Sequence, residues 1–501
     1  MGRIGAVSRI AGLVGMTLAC GLQGKAHAQN APGIQQLEQQ LQQQQQQLES
    51  LQRELQRLQS QRSAAPATPT TATTATTVPT VAPAPHTAEA LTSSFGPSGF
   101  TLRSADGANV IHLRGNVSVD GRFFTDGKTR TAADTWLVRK LRPTLEGTLG
   151  GRYDFRFMPD FGQGKAILQD GWADARIRPW LIFEVGKFKA PVGLERLQLE
   201  QNARFIEAGL PADLLPYRDL GMKVGGTLAS GLLSYDIGNV DGAPDGLSMD
   251  GNAVPDANST GHFTWEARVF AQPFLHTPIA GLQQLGLGAA ETYVTARGAA
   301  TATGTTSLLA SYKTPGMQPL FSYRSNTASG YNNATIAAGV HRRLVPQAWY
   351  YYGPVGLLAE YALETQQVQR QISPGSERHA TLQNSAWQVQ GYWYLTGEQE
   401  SYTTAGPRRA FGSGGPGAWE LVARYSEIRF DAQTFSDATA SFADPASAPR
   451  AARAIGVGLN WYLTQNFKVQ LDYEVTHFEG GAPAGNRPAE RVLTSQFSLI
   501  F

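Results

Sequence analysis

From about residue 100 to the C-terminus, apolar and polar side chains alternate in one segment after another. Residues 467–477 are the plainest case. Phe467, Val469, Leu471, Tyr473 and Val475 fall on one face, and Lys468, Gln470, Asp472, Glu474 and Thr476 on the other. The segment before it sets Ile455, Val457, Leu459 and Trp461 against Gly456, Gly458, Asn460 and Tyr462, with Thr464, Gln465 and Asn466 as the turn between. Residues 418–428, 387–396 and 111–120 repeat the pattern. Successive side chains of a strand point to opposite faces, so a period of two sustained over ~400 residues makes this part of the chain all-β.

A soluble sandwich also alternates. Here the polar faces are too polar to pack a core, and the apolar faces are about five residues deep, the height of a tilted membrane strand. Aromatics gather near strand ends, as in interfacial girdles: Trp136, Trp180, Trp349 with Tyr350 to Tyr352, Trp393 with Tyr394, Trp461 with Tyr462. The last segment alternates Leu493, Phe497, Leu499 and a terminal Phe501 with Thr494, Gln496 and Ser498. Only 16% of residues are charged, and no run of about 18 apolar residues exists beyond residue 30, which excludes a bundle of membrane helices. The expected fold is an antiparallel transmembrane β-barrel. Segment counts run from sixteen to eighteen strands; bacterial barrels close on even numbers, and sixteen is the expectation here. A barrel of that size encloses an aqueous lumen.

The first 99 residues differ. Residues 1–28 read as an export signal: Arg3 and Arg9, a short apolar core from Ile10 to Leu22, and Ala26-His27-Ala28 as a cleavage site. Cys20, the single cysteine, sits in a partial lipid-attachment pattern, but the better cleavage site lies downstream. Residues 29–62 read as a coiled-coil helix. Ile34, Leu41, Leu48 and Leu55 recur every seven residues, as do Leu37, Gln44, Leu51 and Leu58, which predicts self-association. The alternative is a disordered Gln tract. Residues 63–99, rich in Ala, Thr and Pro, read as a linker. The barrel domain is 100–501.

Several stretches resemble the phosphate-selective porin O and P family. They are Trp136 to Gly147 with its Arg139, Lys140 and Arg142; Val185 to Glu195 with Lys187 and Lys189; Tyr392 to Glu398; Gly417 to Tyr425; and Gly458 to Tyr462. The resemblance is collinear over residues 100–501. It implies a sixteen-stranded trimeric porin of the outer membrane, a third loop folded inward, and a basic pore path favouring anions such as phosphate.

The alternation offers an independent reading of the lumen. If the apolar sets face lipid, then Arg114, Arg122, Lys140, Arg142, Arg152, Arg156, Arg176 and Arg178 face inward on the first four strands, against Asp120, Glu146, Asp154 and Asp174. Leu137, Leu141 and Leu145 take the outer face of the second strand, and Arg139 shares their parity. Later, Arg424 and Lys468 are lumenal but faced by Glu420, Asp472 and Glu474. Rows of guanidinium groups lower the barrier for anions and offer oxyanions a bidentate fork. Interleaved carboxylates also make structural pairs. Residues 190–218 lack a strand period and carry Glu195, Arg196, Arg204 and Arg218. They are the candidate constriction loop, with a solvent-facing extracellular loop as the alternative.

The reading is therefore a passive outer-membrane porin for small hydrophilic solutes, anion-preferring, with lipid, further copies of itself and small anions as partners. The coiled coil projects into the periplasm toward the cell wall. A barrel that merely anchors that coil, with little flux, is the alternative. A net charge of +2 excludes a basic nucleic-acid binder. Eight scattered His and one Cys make no catalytic cluster and no metal site, so neither enzyme activity nor a cofactor is expected.

Overall fold

The computed structural model describes residues 91–96, 99–125, 132–243, 261–403, 406–437 and 439–501. The signal at 1–28, the heptad helix at 29–62 and most of the 63–99 linker lie outside the described residues.

Sixteen antiparallel strands form the barrel. They are β1 (Val110–Phe124), β2 (Thr135–Leu149), β3 (Tyr153–Asp160), β4 (Ile167–Arg178), β5 (Leu181–Lys189), β6 (Arg218–Leu228), β7 (Leu233–Val240) and β8 (Thr264–Ala271), then β9 (Leu285–Arg297), β10 (Thr335–Tyr352), β11 (Val355–Ser373), β12 (Ser376–Tyr394), β13 (Ala418–Arg429), β14 (Pro449–Tyr462), β15 (Phe467–Gly480) and β16 (Glu490–Ile500). Each pairs with the next, and β16 closes on β1 from Val492↔Phe124 to Ile500↔Asn116. The expected count of sixteen is met.

A hairpin, Thr92–Gly96 with Gly99–Arg103, precedes the barrel and pairs with the start of β1, Phe100↔Leu113 to Arg103↔Val110. It begins inside the stretch read as linker to residue 99. The reason is tertiary: β16 stops opposite Asn116, leaving the first residues of β1 as a bare edge, and the hairpin covers it.

Burial is inverted relative to a soluble protein. On β14, Ile455 and Val457 are 50% and 51% exposed while Asn460 on the other face is fully buried. On β15, Leu471 is exposed and Lys468, Gln470, Asp472, Glu474 and Thr476 are buried. Lipid replaces water on the outside, and closure leaves no unpaired strand edge in it. One end of the barrel carries tight turns, such as 150–152, 179–180, 353–354 and 463–466. The other carries long loops, including 190–217, 298–334 and 430–448. Short turns mark the periplasmic end and long loops the extracellular end.

The aromatic girdle is only partly as expected. Trp136, Trp180, Trp393 and Tyr352 are exposed on the outside. Tyr351, Tyr394 and Tyr462 are instead buried in the interior, and Trp349 packs with that group. Trp349 shares its parity with the inward residues Arg343, Val345 and Gln347; it packs at a tilt against Phe270 at 4.1 Å and stacks on Tyr402 at 4.3 Å.

The extracellular mouth has its own apolar core. Val192, Leu210, Leu214 and Leu215 of loop 190–217 are at most 1% exposed and pack with Tyr312, Leu320, Phe321, Phe430 and Phe435 from loops 298–334 and 430–448. Phe321 stacks on Phe430 at 4.0 Å. Each fully buried leucine contributes about 1.5–3 kcal/mol, enough for these residues to draw the loop inward and hold it there.

Candidate functional site

Charged side chains on the inner wall of β1–β6 form a chain that crosses the strands. Arg114 Nε lies 2.9 Å from Glu146 Oε1, and Arg156 Nη2 lies 2.6 Å from Glu146 Oε2. Arg156 Nη1 lies 3.5 Å from Asp170 Oδ2, and Arg218 Nε 2.6 Å from Asp170 Oδ1. Three guanidinium groups thus alternate with two carboxylates. A step nearer the extracellular side, Arg142 pairs with Asp160 at 2.7 Å. Arg218, Arg196 and Lys189 also gather round one ring, that of Tyr217, at 4.2, 4.6 and 5.7 Å from its centre.

A β-bulge alters the reading of β2. Ser118 pairs with Lys140, but the next residue, Val119, pairs with Val138, so Arg139 is the extra residue. Beyond a bulge the facing parity flips. Arg139 therefore points inward with Lys140, and Val138 and Trp136, not Leu137, take the outer face. Arg139 donates through Nε and Nη2 to the two oxygens of Glu207 on the inward loop, each at 3.0 Å, and Arg122 reaches the same carboxylate at 2.5 Å. Burial pushes the Glu207 carboxyl up, but the Arg139 and Arg122 guanidiniums outweigh it and hold it down at about 2.

The opposite wall is acidic and is used differently. The Leu194 N–H donates to Glu360 at 2.8 Å and the Ile206 N–H to Asp472 at 2.7 Å. Glu195 accepts from Gln388 and Gln390 at 2.8 and 2.7 Å and pairs with Arg424 at 3.3 Å. Arg204 is 1% exposed, lies 2.7 Å from Glu420, and also pairs with Glu400. Lys468 Nζ donates to the Ala203 carbonyl at 2.6 Å. Gly209 shows how close the loop lies: a Cβ there would meet Gln388 Oε1 at 2.1 Å. Loop 190–217 is folded into the lumen and bound to this wall.

Two cavities lie along the basic wall. A cavity of about 390 Å³ on the periplasmic side of the loop is lined by Arg114, Arg142, Arg156, Lys189, Arg218 and Lys468, with Glu146 and Asp170 as its acidic side chains. A second, of about 320 Å³ on the extracellular side, is lined by Arg139, Lys140, Arg142, Lys165, Arg196 and Lys313 against Asp160, Glu195, Glu207 and Asp213. Arg142 lines both.

The family model for phosphate-selective porin O and P matches residues 111–484, nearly the whole barrel. The chain belongs to that family. No curated sequence matches this porin significantly. Among solved structures, the outer-membrane channel DcaP of Acinetobacter baumannii is similar at a TM-score of 0.50 and 9% identity, covering 79% of this chain and 99% of that one. An anion-selective porin from Comamonas acidovorans aligns at 0.46 and 10%, covering 78% and 100%. OmpT of Vibrio cholerae aligns at 0.46 and 11%, covering 79% and 98%. At such identities the DcaP likeness speaks for the barrel fold alone. Family membership and the closed barrel make this chain an outer-membrane porin.

The residues singled out in the sequence fall into three groups in the porin. Arg114, Lys140, Arg142, Arg156, Arg196 and Arg218 line the cavities. Arg176 and Arg178 lie at the exposed periplasmic end of β4, where Arg176 pairs with Asp154 at 2.7 Å, and Arg152 is exposed in the β2–β3 turn. Arg424 lines neither cavity. It is buried under the loop, over the Phe205 ring at 4.2 Å and paired with Glu195 and Glu474. Arg122 and Arg204 likewise anchor the loop, and Glu195 does so while also lining the extracellular cavity. Parity alone cannot separate a lumenal arginine in water from one sealed beneath a loop. Regular counting puts Arg139 on the outer face. Adjacent basic residues within an alternating strand, Arg139-Lys140, are the signal of the bulge that turns it inward.

Proposed function

We propose that this porin passes small anions, phosphate-like oxyanions among them, along the basic wall of β1–β6. The observation that carries the reading is the lining of the two cavities: five cationic side chains of β1–β6 and Lys468 of β15 against two acidic side chains in one, and six against four in the other. An anion crossing from one to the other passes Arg142. The alternating chain from Arg114 to Arg218 keeps guanidinium donors within the wall while its carboxylates moderate the field, so an anion meets several weak sites rather than one deep one and leaves again. Arginine forks suit oxyanions, and the name of the family points the same way.

The test is phosphate titrated into a chloride current through the mature protein in a planar bilayer. Phosphate is expected to reduce the current, and Arg142→Ala to weaken that block. Unchanged chloride current at saturating phosphate leaves a general porin and removes the oxyanion assignment. A homotrimer with the 29–62 helices associating in the periplasm, facing the cell wall, completes the proposal. It rests on the heptad leucines and the family. Cross-linking of chains with and without residues 29–62 tests it: a trimer lost with the helix assigns assembly to the coil, and one retained assigns it to the barrel.

A further inference from the structure

The connector between β12 and β13 is out of place. The periplasmic end otherwise carries mostly tight turns, yet 395–417 is long, and its residues 398–403 turn up into the lumen. Glu400 there is fully buried and, with Glu420 of β13, encloses the guanidinium of Arg204 on the inward loop. The Ser401 carbonyl accepts from Arg204 Nη2 at 2.9 Å. The Tyr402 hydroxyl donates to the Leu194 carbonyl at 2.6 Å, and the Tyr402 carbonyl accepts from Gln198 at 3.3 Å. Its ring stacks on Trp349, which fixes it to the wall. The strap therefore grips the constriction loop at three points, Leu194, Gln198 and Arg204, from the mouth opposite to the one the loop enters by. Thr403 lines the periplasmic cavity beside it.

We propose that residues 398–403 are a positioning strap, and that Glu400 and Tyr402 set the width of the ion path by holding the loop against the acidic wall. The apolar core formed with loops 298–334 and 430–448 secures the loop from above, through Leu210, Leu214 and Leu215. The stretch from Leu194 to Arg204 has the wall and the strap. Without the strap this stretch keeps only its wall contacts, and it shifts toward Arg142 and the cavities of the basic wall. A buried guanidinium left with one carboxylate in place of two also draws water into the contact. The proposal rests on the basic-wall cavities being the path.

The experiment compares single-channel records of the mature wild-type protein with Glu400→Ala, Glu400→Gln and Tyr402→Phe. Limited trypsin digestion of the same folded barrels, mapped at Arg204, accompanies them. Glu400→Ala is expected to lower conductance, to raise open-channel noise several-fold and to expose Arg204 to cleavage in barrels that still migrate as folded. Glu400→Gln, which keeps an oxygen for Arg204, and Tyr402→Phe, which keeps the stacked ring and loses one hydrogen bond, are expected to do so less. Should Glu400→Ala not fold, these two decide. Folded variants with wild-type conductance and noise and an uncut Arg204 overturn the proposal. A wild-type barrel that conducts nothing overturns the path itself, while the digestion still reports on the strap.

Discussion

On β1–β6, carboxylates bridge arginines along the wall; on β11–β15, carboxylates reach away from the wall to hold a loop. Glu146 and Asp170 each sit between two guanidiniums, and along this chain Arg114 and Arg156 stay part-exposed while Asp170 and Arg218 are buried. Glu360, Glu420 and Asp472 instead receive loop N–H groups and Arg204, and that side of the lumen is filled. Similar side chains at the same strand parity thus line cavities on one side and make a foundation on the other. Net charge over the whole chain, +2, averages the two and hides the difference.

The sharpest way to break the comparison is to disturb the filled side. Arg204→Ala leaves Glu400 and Glu420 buried without their cation, and removing one partner of a buried pair costs about 3–5 kcal/mol. The expected outcome is a large fall in unfolding temperature or loss of loop protection from protease; a wild-type melting profile would show that the loop needs no such anchor. Next comes the open side. Neutralising Lys140 and Arg142 together should lower anion permeability by about five-fold per charge, since unit charges 4 Å apart in water interact by about 1 kcal/mol, and lower the anion-to-cation ratio by more, because cation repulsion is lost at the same time. The same change at Arg424, sealed beneath the loop, should leave the ratio alone while destabilising the loop.

Acid sharpens the contrast at the contact between the two sides. The Glu207 carboxyl is held at about 2, below its ordinary 4.5, so its tether to Arg139 and Arg122 is complete at neutral pH. It weakens below pH 4.5 and is lost as pH falls through about 2. Open-channel noise should therefore rise across that window, and Glu207→Gln should remove the step. The smallest effect belongs to the periplasmic rim. The Arg176–Asp154 pair is solvent-exposed and such pairs contribute about 0.2–1 kcal/mol, so Arg176→Ala should shift stability marginally and reversal potential hardly at all.

Much of this was legible in the sequence because period two survives whatever the tertiary context. The strands around 455–477, the barrel closing through the last segment, and the break in alternation at 190–218 all follow from it. The rest depended on contacts between distant segments. The bulge at Arg139 flips a parity that regular counting cannot flip. The burial of Arg424 depends on Phe205 and Glu195, more than 200 residues away in sequence. The inward turn of Glu400 and Tyr402 has no period to mark it, because a strap is held by its partners rather than by its own pattern. Tyr351, Tyr394 and Tyr462 looked like girdle residues because aromatics at strand ends serve lipid and lumen alike.

The most direct measurement is the reversal potential of the mature porin in a planar bilayer across a KCl gradient. A passage along the Arg114–Arg218 wall predicts reversal on the chloride side, moving toward zero when Lys140 and Arg142 are neutralised. Reversal at zero or on the potassium side from well-folded channels would contradict it, and would mean that the carboxylates of the wall cancel its arginines.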